Sequence, residues 1–360
     1  MTIRRVVVKV GSSTLTGGSG GLDEAYLEDL VRELARARER GVEVLLVTSG
    51  AIAAGAARIG LGRPSTIPEK QAAAAVGQGL LMGHYIQAFS RRRLAAAQVL
   101  LTREDISSRQ RYLNARNTLF TLLRIGAVPV INENDAVAID EIRVGENDTL
   151  AALVAALVEA DLLLLLSDVE GLLDADGCLI PEVPDIAAVL HLAGGPGSGV
   201  GSGGMVTKLQ AARIAARCGT ATVIAHGRRD GVLGELLEGR AVGTFFPPSA
   251  HRLRGRKRWI AFCARPRGVL VVNEGARRSL LENGGSLLPA GIVAVQGRFS
   301  AGNLVRIQDE HGQELARGLA NYADKEVAAI LGLHTDQVAE RLGACDFEEV
   351  VHRDNLVLVS

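Results

Sequence analysis

A glycine-rich segment in the second half of the chain carries the clearest chemical signal in the sequence. Residues 197–204 contain five glycines, Lys208 follows shortly after, and an amphipathic helix is predicted over 207–217. Glycines let backbone amides approach a ligand closely, and a helix N-terminus adds a partial positive charge. Together these features predict a segment that binds a polyphosphate.

Two standard phosphate-binding motifs do not account for this segment. A P-loop requires glycine, lysine and Ser or Thr in succession, but three residues separate the last glycine from Lys208. The GxGxxG spacing that begins at Gly199 matches a dinucleotide fingerprint only in its letters, because it does not follow the first strand of a βαβ unit. A mobile glycine linker is the alternative interpretation.

A lysine also lies inside the apolar run 6–10 near the N-terminus, where Gly11, Ser12 and Ser13 follow. Burying a lysine charge within a strand is costly, so we expect Lys9 to emerge at the strand end and meet an anion. An edge-strand lysine that points to water is the alternative.

Polar residues mark three further junctions between a predicted strand and the turn or helix beside it. Ser49 and Gly50 follow one strand, Asp135 follows another, and Asn147 stands at a turn before a helix. Ser49 and the amides beside it can hold a carboxylate or a phosphate. Asp135 can pair with an ammonium group, while Asn147 and nearby amides can receive a carboxylate. The Asp135 and Asn147 segments together predict a site for an amino-acid zwitterion. Helix capping or turn formation is the alternative for each segment.

Ser167 and Asp168 end another apolar strand. Asp168 can cap a helix, contact a ribose or hold a phosphate-bound magnesium ion, and the residues leave these three roles open.

Two lysines far apart in sequence, Lys9 and Lys208, together with acidic residues and the glycine-rich segment 197–204, suit phosphoryl transfer. The moving group carries negative charge that ammonium groups stabilise as it migrates. We expect Asp148 to be the acid that holds Lys9 and Lys208 in place.

The first two-thirds of the chain alternate short apolar runs with longer amphipathic segments. The predicted strands are 6–10, 42–48, 95–100, 128–132, 162–167 and 221–225, and the predicted helices are 26–40, 68–90, 112–125, 148–159 and 207–217. Several strands are apolar throughout, as expected where helices cover both faces of a parallel sheet. The pattern predicts a doubly wound α/β domain with ligands at the carboxyl ends of its strands.

After about residue 245 the pattern changes to short alternating strands with glycine-rich turns. The predicted strands are 268–273, 291–297, 303–308, 314–320 and 349–359, with one or two short helices such as 276–282 and 324–332. We therefore expect an α/β domain over 1–255, a linker over 256–268 and a small β-rich domain over 269–360.

Composition limits the class of protein. The formal net charge is zero, so there is no global attraction to nucleic acid or an anionic membrane. The four cysteines form no C-x-x-C pair and indicate reduced thiols. No signal-peptide pattern and no apolar run near the roughly 20 residues that span a bilayer is present, so we expect a cytoplasmic, soluble protein. The basic cluster 251–258 keeps RNA binding as an alternative of a different class.

The order of these motifs resembles the glutamate 5-kinase family of the amino-acid kinase superfamily. The resemblance rests on VVVKVGSST, VTSGAIAAG, VPVINENDAV, VGENDTLAAL, LLLLSDVEGLL and GSGGMVTKLQAA, which together cover residues 1–245. The C-terminal part, including the final VVHRDNLVL, resembles a PUA domain. The resemblance implies a three-layer α/β/α sandwich with a mainly parallel sheet, followed by the PUA-like domain.

The resemblance also implies an activity and the residues that perform it. ATP and L-glutamate would give L-glutamyl 5-phosphate, the first step of proline synthesis, with Mg²⁺ required and proline as feedback inhibitor. Family members form dimers or tetramers, and the resemblance implies a functional coupling of this chain to glutamate-5-semialdehyde dehydrogenase. The implied catalytic residues are Lys9, Lys208 and Asp148; the glutamate-binding residues are Ser49, Gly50, Asp135 and Asn147; the ATP-binding residues are Lys9, Ser167, Asp168, Ser202, Gly203, Gly204, Met205, Val206, Thr207 and Lys208. The identity of the metal ligands is left open, and a kinase for acetylglutamate, aspartate or a nucleotide is the rival enzyme.

Overall fold

The computed structural model describes residues 2–16, 21–137, 146–194, 204–250, 252–253, 255–343 and 347–359. Contacts divide the chain into two compact units. The first unit contains 1–106 and 110–252, and the second contains 107–109 and 253–360. Over the described residues, no helix is both long enough and apolar enough to cross a membrane.

In the described part of the first unit, seven strands form one sheet in the order β3-β4-β2-β1-β5-β6-β7. The strands are β1 (Arg5–Val10), β2 (Glu43–Val47), β3 (Ala96–Leu101), β4 (Val128–Glu133), β5 (Leu162–Ser167), β6 (Ala221–His226) and β7 (Thr244–Phe246). Neighbouring strands are parallel, except that β7 pairs with β6 in the antiparallel direction. The mainly parallel sheet predicted from the sequence is confirmed.

The described helices of this region cover both faces of the sheet. They are α1 (Ser12–Leu15), α2 (Glu24–Glu39), α3 (Ala51–Ile59), α4 (Ile67–Ser90), α5 (Arg103–Ser107), α6 (Arg109–Arg124), α7 (Glu146–Leu157), α8 (Ile186–Val189), α9 (Met205–Arg217) and α10 (Val232–Leu237). Side chains of a strand alternate between faces. Val6, Val8 and Val10 enter a core with α2, α4 and α10, while α7 and α9 pack against the sheet from its other face.

The predicted strands of this unit agree with the structure to within one or two residues, because their apolar runs are short and bounded by polar or glycine residues. The parallel pairing of Leu162–Ser167 with β1 and β6 confirms that this fully buried run is a strand. The sequence did not predict β7, since three residues give too little alternation to recognise.

The second unit has its own sheet and core. Its described strands form the order β12-β11-β10-β8-β9, where β8 is Gly268–Val272, β9 Ile292–Gly297, β10 Leu304–Asp309, β11 Glu314–Leu319 and β12 Leu356–Leu358. Its helices are α11 (Arg256–Arg258), which continues as a π-helical turn over Trp259–Cys263, α12 (Glu274–Asn283), α13 (Asp324–Ala329) and α14 (Thr335–Leu342). Apolar residues of these strands and helices form a separate core. The predicted β-rich second region is confirmed.

Three details of this unit differ from the sequence predictions. The strand predicted over 349–359 is limited to β12, because His352 accepts a hydrogen bond from the Asp354 amide and starts a 3-10 turn. Helix α14 was not predicted. Arg258 is buried, so the basic cluster 251–258 is not entirely a solvated surface; His251 and Arg254 lie outside the described residues.

Candidate active site

Lys9, Asp148 and Lys208 meet at the carboxyl end of the first sheet. Lys9 Nζ lies 2.7 Å from Asp148 Oδ1, and Lys208 Nζ lies 3.7 Å from Asp148 Oδ2. The three residues are only 7%, 1% and 9% exposed, in that order. The structure thus brings together the two lysines and the acid that the sequence singles out for phosphoryl transfer.

Three different elements position these side chains. Lys9 is the last residue but one of β1, which lies between β2 and β5 in the middle of the sheet. Its neighbours Val8 and Val10 enter the core beneath α2 and α4, so Lys9 emerges on the face that α7 and α9 cover. Asp148 and Lys208 come from the first turns of α7 and α9, and these two helices pack against each other. The charged group therefore depends on contacts between three separate parts of the chain.

The choice of lysine at both positions is informative. The chain has 40 basic residues but only five lysines, and two of the five are the buried pair at this site. An ammonium is a compact point charge, whereas the planar guanidinium of arginine needs more room. A Cβ on Gly11 would lie 3.5 Å from Lys9 Nζ, so the glycine leaves open the space beside this ammonium group. That space suits an anion.

The charges of the cluster do not cancel, because two ammonium groups face one carboxylate. The pKa of Lys208 is lowered from its ordinary value, chiefly by burial. Asp148 opposes this effect by raising the Lys208 pKa, and the positive charge of Lys9 lowers it further. A negatively charged ligand would offset the excess positive charge, as expected at a site that binds phosphate groups.

A polar network surrounds Asn147, next to the charged cluster in sequence. Asn147 Nδ2 donates to the Thr48 carbonyl oxygen at 3.2 Å, to Ser49 Oγ at 2.8 Å and to Asn132 Oδ1 at 3.3 Å. The buried Oδ1 atom of Asn147 has no hydrogen-bond partner among the described residues. Both amide hydrogens of Asn147 are therefore engaged within the protein, and the atom left for a ligand is the acceptor Oδ1. An oxygen acceptor suits the ammonium group of a ligand better than the carboxylate group predicted from the sequence.

The other residues predicted to bind glutamate lie at the same carboxyl end of the sheet. Gly50 is the N-cap of α3 with φ +93°, a conformation that glycine adopts without strain. Ser49 precedes it and is held by Asn147. Asp135 follows β4 in a turn and is half-buried. Their grouping is consistent with a single polar pocket, and their roles toward a ligand stay predictions.

Apart from Lys9, the described residues predicted to bind ATP lie at the end of β5 and at the start of α9. Ser167 is buried at the end of β5, and its hydroxyl donates to Asp168 Oδ1 at 3.1 Å. Gly204 is the N-cap of α9 and has no side chain to satisfy the amides of Met205 and Val206. The Thr207 amide donates to the Gly204 carbonyl oxygen at 3.1 Å. Ser202 and Gly203 lie outside the described residues. The start of α9 therefore presents backbone donors close to Lys208.

No group of three or more His, Cys, Asp or Glu side chains able to hold a metal ion occurs within the ranges that the structure describes. Magnesium commonly binds to one or two carboxylates together with substrate phosphates. Asp168 is exposed at the end of β5, and its charge acts on Lys208. This carboxylate fits a magnesium ion that arrives with a nucleotide.

The residues that hold the hydrogen-bond partners of Asn147 in place were not predicted from the sequence. Asn132 Nδ2 donates to Gln78 Oε1 of α4 at 2.8 Å, and Thr48 Oγ1 is 2.8 Å from the hydroxyl of the fully buried Tyr85. Gln78 is polar within an otherwise apolar stretch of α4, and that contrast was the available signal. Tyr85 gave none, because a buried tyrosine resembles any other core residue.

Comparison with known proteins defines the class. The model of the amino acid kinase family matches residues 4–226, and the model of the PUA domain matches residues 268–342. The chain is 51% identical to glutamate 5-kinase of Moorella thermoacetica, over 99% of this chain and 96% of that protein. It is 52% identical to glutamate 5-kinase of Thermus thermophilus, over 99% of this chain and 98% of that protein.

A solved structure, N-acetylglutamate synthase from Neisseria gonorrhoeae complexed with coenzyme A and L-arginine, is similar in fold. The TM-score is 0.51 at 18% identity, over 69% of this chain and 62% of that one. At this identity the likeness concerns the fold alone. The fold and the paired lysines define an enzyme of the amino acid kinase class. From the two full-length matches, the chain belongs to the glutamate 5-kinase family.

Proposed function

We propose that this chain transfers the γ-phosphoryl group of ATP to the γ-carboxylate of L-glutamate, which gives L-glutamyl 5-phosphate and ADP. The observation that carries the proposal is the convergence of Lys9 and Lys208 on the buried Asp148. The relatives that share about half of the sequence over nearly the whole chain are named glutamate 5-kinases, and this supports the substrate.

The reaction is a displacement at phosphorus. A γ-carboxylate oxygen of glutamate forms a bond to the γ-phosphorus as the bond to the β–γ bridging oxygen breaks, and the electron pair leaves with ADP. The carboxylate is already ionised at neutral pH, so no proton has to be removed. The protein therefore contributes orientation and electrostatic stabilisation rather than acid–base chemistry.

Lys9 and Lys208 stabilise the negative charge on the phosphoryl oxygens as the group moves between donor and acceptor. Asp148 keeps the two ammonium groups close to each other despite their repulsion. Losing one preorganised donor of this kind lowers the rate roughly 10²–10³-fold.

Glutamate is held by the polar network around Asn147. The unpartnered Oδ1 of Asn147 accepts from the α-ammonium group, and Asp135 supplies a carboxylate for the same group. The α-carboxylate is received by the amides at the start of α3, next to Ser49 and Gly50.

ATP lies with its phosphates against the start of α9, from Gly204 to Lys208, and Ser202 and Gly203 belong to the same segment. Ser167 and Asp168 contact the nucleotide from β5. Asp168 would hold Mg²⁺ together with the phosphates, and the ion would neutralise charge on the phosphate oxygens.

On the strength of the family resemblance, the proposal extends to the inhibitor, oligomeric state, partner enzyme, cellular location and domain bounds. Proline inhibits the activity, the chain forms a dimer or tetramer, and the labile acyl phosphate is passed to glutamate-5-semialdehyde dehydrogenase. The enzyme works in the cytoplasm. Residues 1–255 form the kinase domain and 269–360 the PUA-like domain.

A hydroxylamine-trapping assay tests the central claim. Purified protein with ATP, Mg²⁺ and L-glutamate should form γ-glutamyl hydroxamate and ADP in equal amounts, and N-acetylglutamate or aspartate should give at least about tenfold less. Lys208→Met should slow product formation at least about 100-fold, while Lys325→Met, at an exposed lysine of the second unit, should not slow it. Absence of glutamate-dependent hydroxamate from correctly folded wild-type protein would overturn the proposal, and stronger turnover of N-acetylglutamate would favour the rival kinase.

A further inference from the structure

The two oxygens of the Asp148 carboxylate have different partners. Oδ1 forms the 2.7 Å ion pair with Lys9, but the closest partner of Oδ2 is the hydroxyl of Thr207, which donates at 2.8 Å. Lys208 Nζ lies 3.7 Å from Oδ2, which is beyond the normal range of a hydrogen bond. A neutral hydroxyl therefore takes the near position on this oxygen, and the second ammonium is kept further away.

The backbone fixes this arrangement. Thr207 is the third residue of α9, and its amide donates to the carbonyl oxygen of Gly204 at 3.1 Å. Its hydroxyl is also within 3.0 Å of the same carbonyl oxygen. The hydroxyl has one hydrogen to donate, and a carboxylate is the stronger acceptor for it. The contact with Asp148 thus joins the first turn of α9 to the first turn of α7.

We propose that Thr207 is a positioning residue for phosphoryl transfer, because its hydroxyl occupies Asp148 Oδ2 and holds the Lys208 ammonium 3.7 Å from that oxygen, too far for a full-strength hydrogen bond. This inference rests on the proposed kinase function and adds to it a residue whose side chain acts through Asp148. Without the hydroxyl, Lys208 moves onto Oδ2, and part of its charge is neutralised before the phosphoryl group arrives.

The electrostatics of the site favour that movement. Lys208 and Asp148 are both buried, and an ion pair is screened little in such a place. Repulsion from Lys9 opposes the approach of Lys208 to the carboxylate, but the attraction of Asp148 is the larger of the two charge effects on the Lys208 pKa. A threonine hydroxyl satisfies the oxygen without adding charge.

Two substitutions separate this role from contact with the nucleotide. Thr207→Val keeps the shape and removes the hydroxyl, and Thr207→Ser restores it. We expect Thr207→Val to lower kcat about 10-fold to 100-fold, with KM for ATP and for glutamate changed less than about threefold. Thr207→Ser should stay within about threefold of wild type. A rise in KM for ATP with unchanged kcat, or wild-type kinetics for Thr207→Val, would overturn the proposal.

A second measurement does not depend on activity. With only five lysines in the chain, labelling by an amine-selective reagent can be followed at each lysine by mass spectrometry. In Thr207→Val, Lys208 should label several-fold more slowly at a fixed pH, because direct pairing with Asp148 favours its protonated form, while the rate at the exposed Lys325 should not change. If Thr207→Val does not fold, Thr207→Ala takes its place. Unchanged labelling of Lys208 contradicts this inference, whether or not the wild-type protein has kinase activity. If the wild type is active and the Thr207 variants match it, the inference is wrong and the proposed function stands.

Discussion

Gly55 of α3 and Gly77 of α4 lie at a helix crossing so close that neither position has room for a side chain. A Cβ on Gly55 would lie 1.8 Å from the Ala73 carbonyl oxygen, and one on Gly77 would lie 1.7 Å from the Ala51 carbonyl oxygen. Close backbone contact therefore locks α3 onto α4. Since α3 begins next to Gly50, this crossing also sets the position of the polar pocket.

The crossing gives a prediction about stability with a control in the same helix. Gly77→Ala should lower the free energy of unfolding by at least about 2 kcal/mol, because the methyl group meets backbone rather than a movable side chain. Gly79 faces open space, so Gly79→Ala should leave stability unchanged or raise it by up to about 1 kcal/mol through helix propensity. Urea denaturation of the two variants measures the difference, and equal stabilities would contradict the close backbone contact between the two helices.

Asp148→Asn tests the charge balance of the cluster. The substitution keeps the side-chain shape and leaves two buried ammonium groups without their carboxylate, which should lower stability by about 3 kcal/mol. Turnover should fall at least about 100-fold. ATP should restore more stability to the variant than to wild type, since the phosphates then supply the counter-charge that the Asp148 carboxylate no longer provides. Calorimetry with and without ATP, alongside the hydroxamate assay, decides this, and a variant as stable as wild type would refute it.

The lowered pKa of Lys208 gives a prediction about pH. Phosphoryl transfer needs the protonated amine, and a lowered pKa means that the proton is lost at a lower pH than from an exposed lysine, whose ordinary value is 10.5. The basic limb of the kcat/KM profile for ATP, which reports the free enzyme, should therefore lie below 10.5. Site-resolved amine labelling against pH should place the Lys208 midpoint below 10.5. A Lys208 midpoint at or above 10.5 would show that burial does not govern this amine.

Asn147→Ala tests the proposed contact with the α-ammonium group of glutamate. Loss of the free Oδ1 acceptor and of the bond to Ser49 should raise KM for glutamate about tenfold or more and leave KM for ATP within about twofold. Asn114→Ala, at an exposed position on α6, is the matched control and should behave as wild type. A variant whose KM for ATP rises instead would move Asn147 out of the glutamate pocket.

Much of the candidate site could be named from local patterns. The lysine in an apolar strand, the glycine segment before a helix and the polar residues at strand ends all depend on neighbours close in sequence. Lys9, Asp148 and Lys208 were recognised in this way. The direction of the Asn147 hydrogen bonds could not be recognised from local patterns. Its amide hydrogens are donated to the Thr48 carbonyl oxygen and to Ser49 Oγ, so the atom left for a ligand is the acceptor Oδ1.

The amino-acid sequence by itself determined the βαβ rhythm, the second β-rich region and the residue types that suit phosphoryl transfer, because periodicity and composition are local properties of the chain. The tertiary structure decided the strand order, the closeness of α3 to α4 and the support that Gln78 and Tyr85 give to the polar pocket. It also decided that Thr207, and not Lys208, lies nearest to Asp148 Oδ2. These features join residues far apart in the chain, and packing of whole elements rather than any short sequence pattern fixes the distances between them.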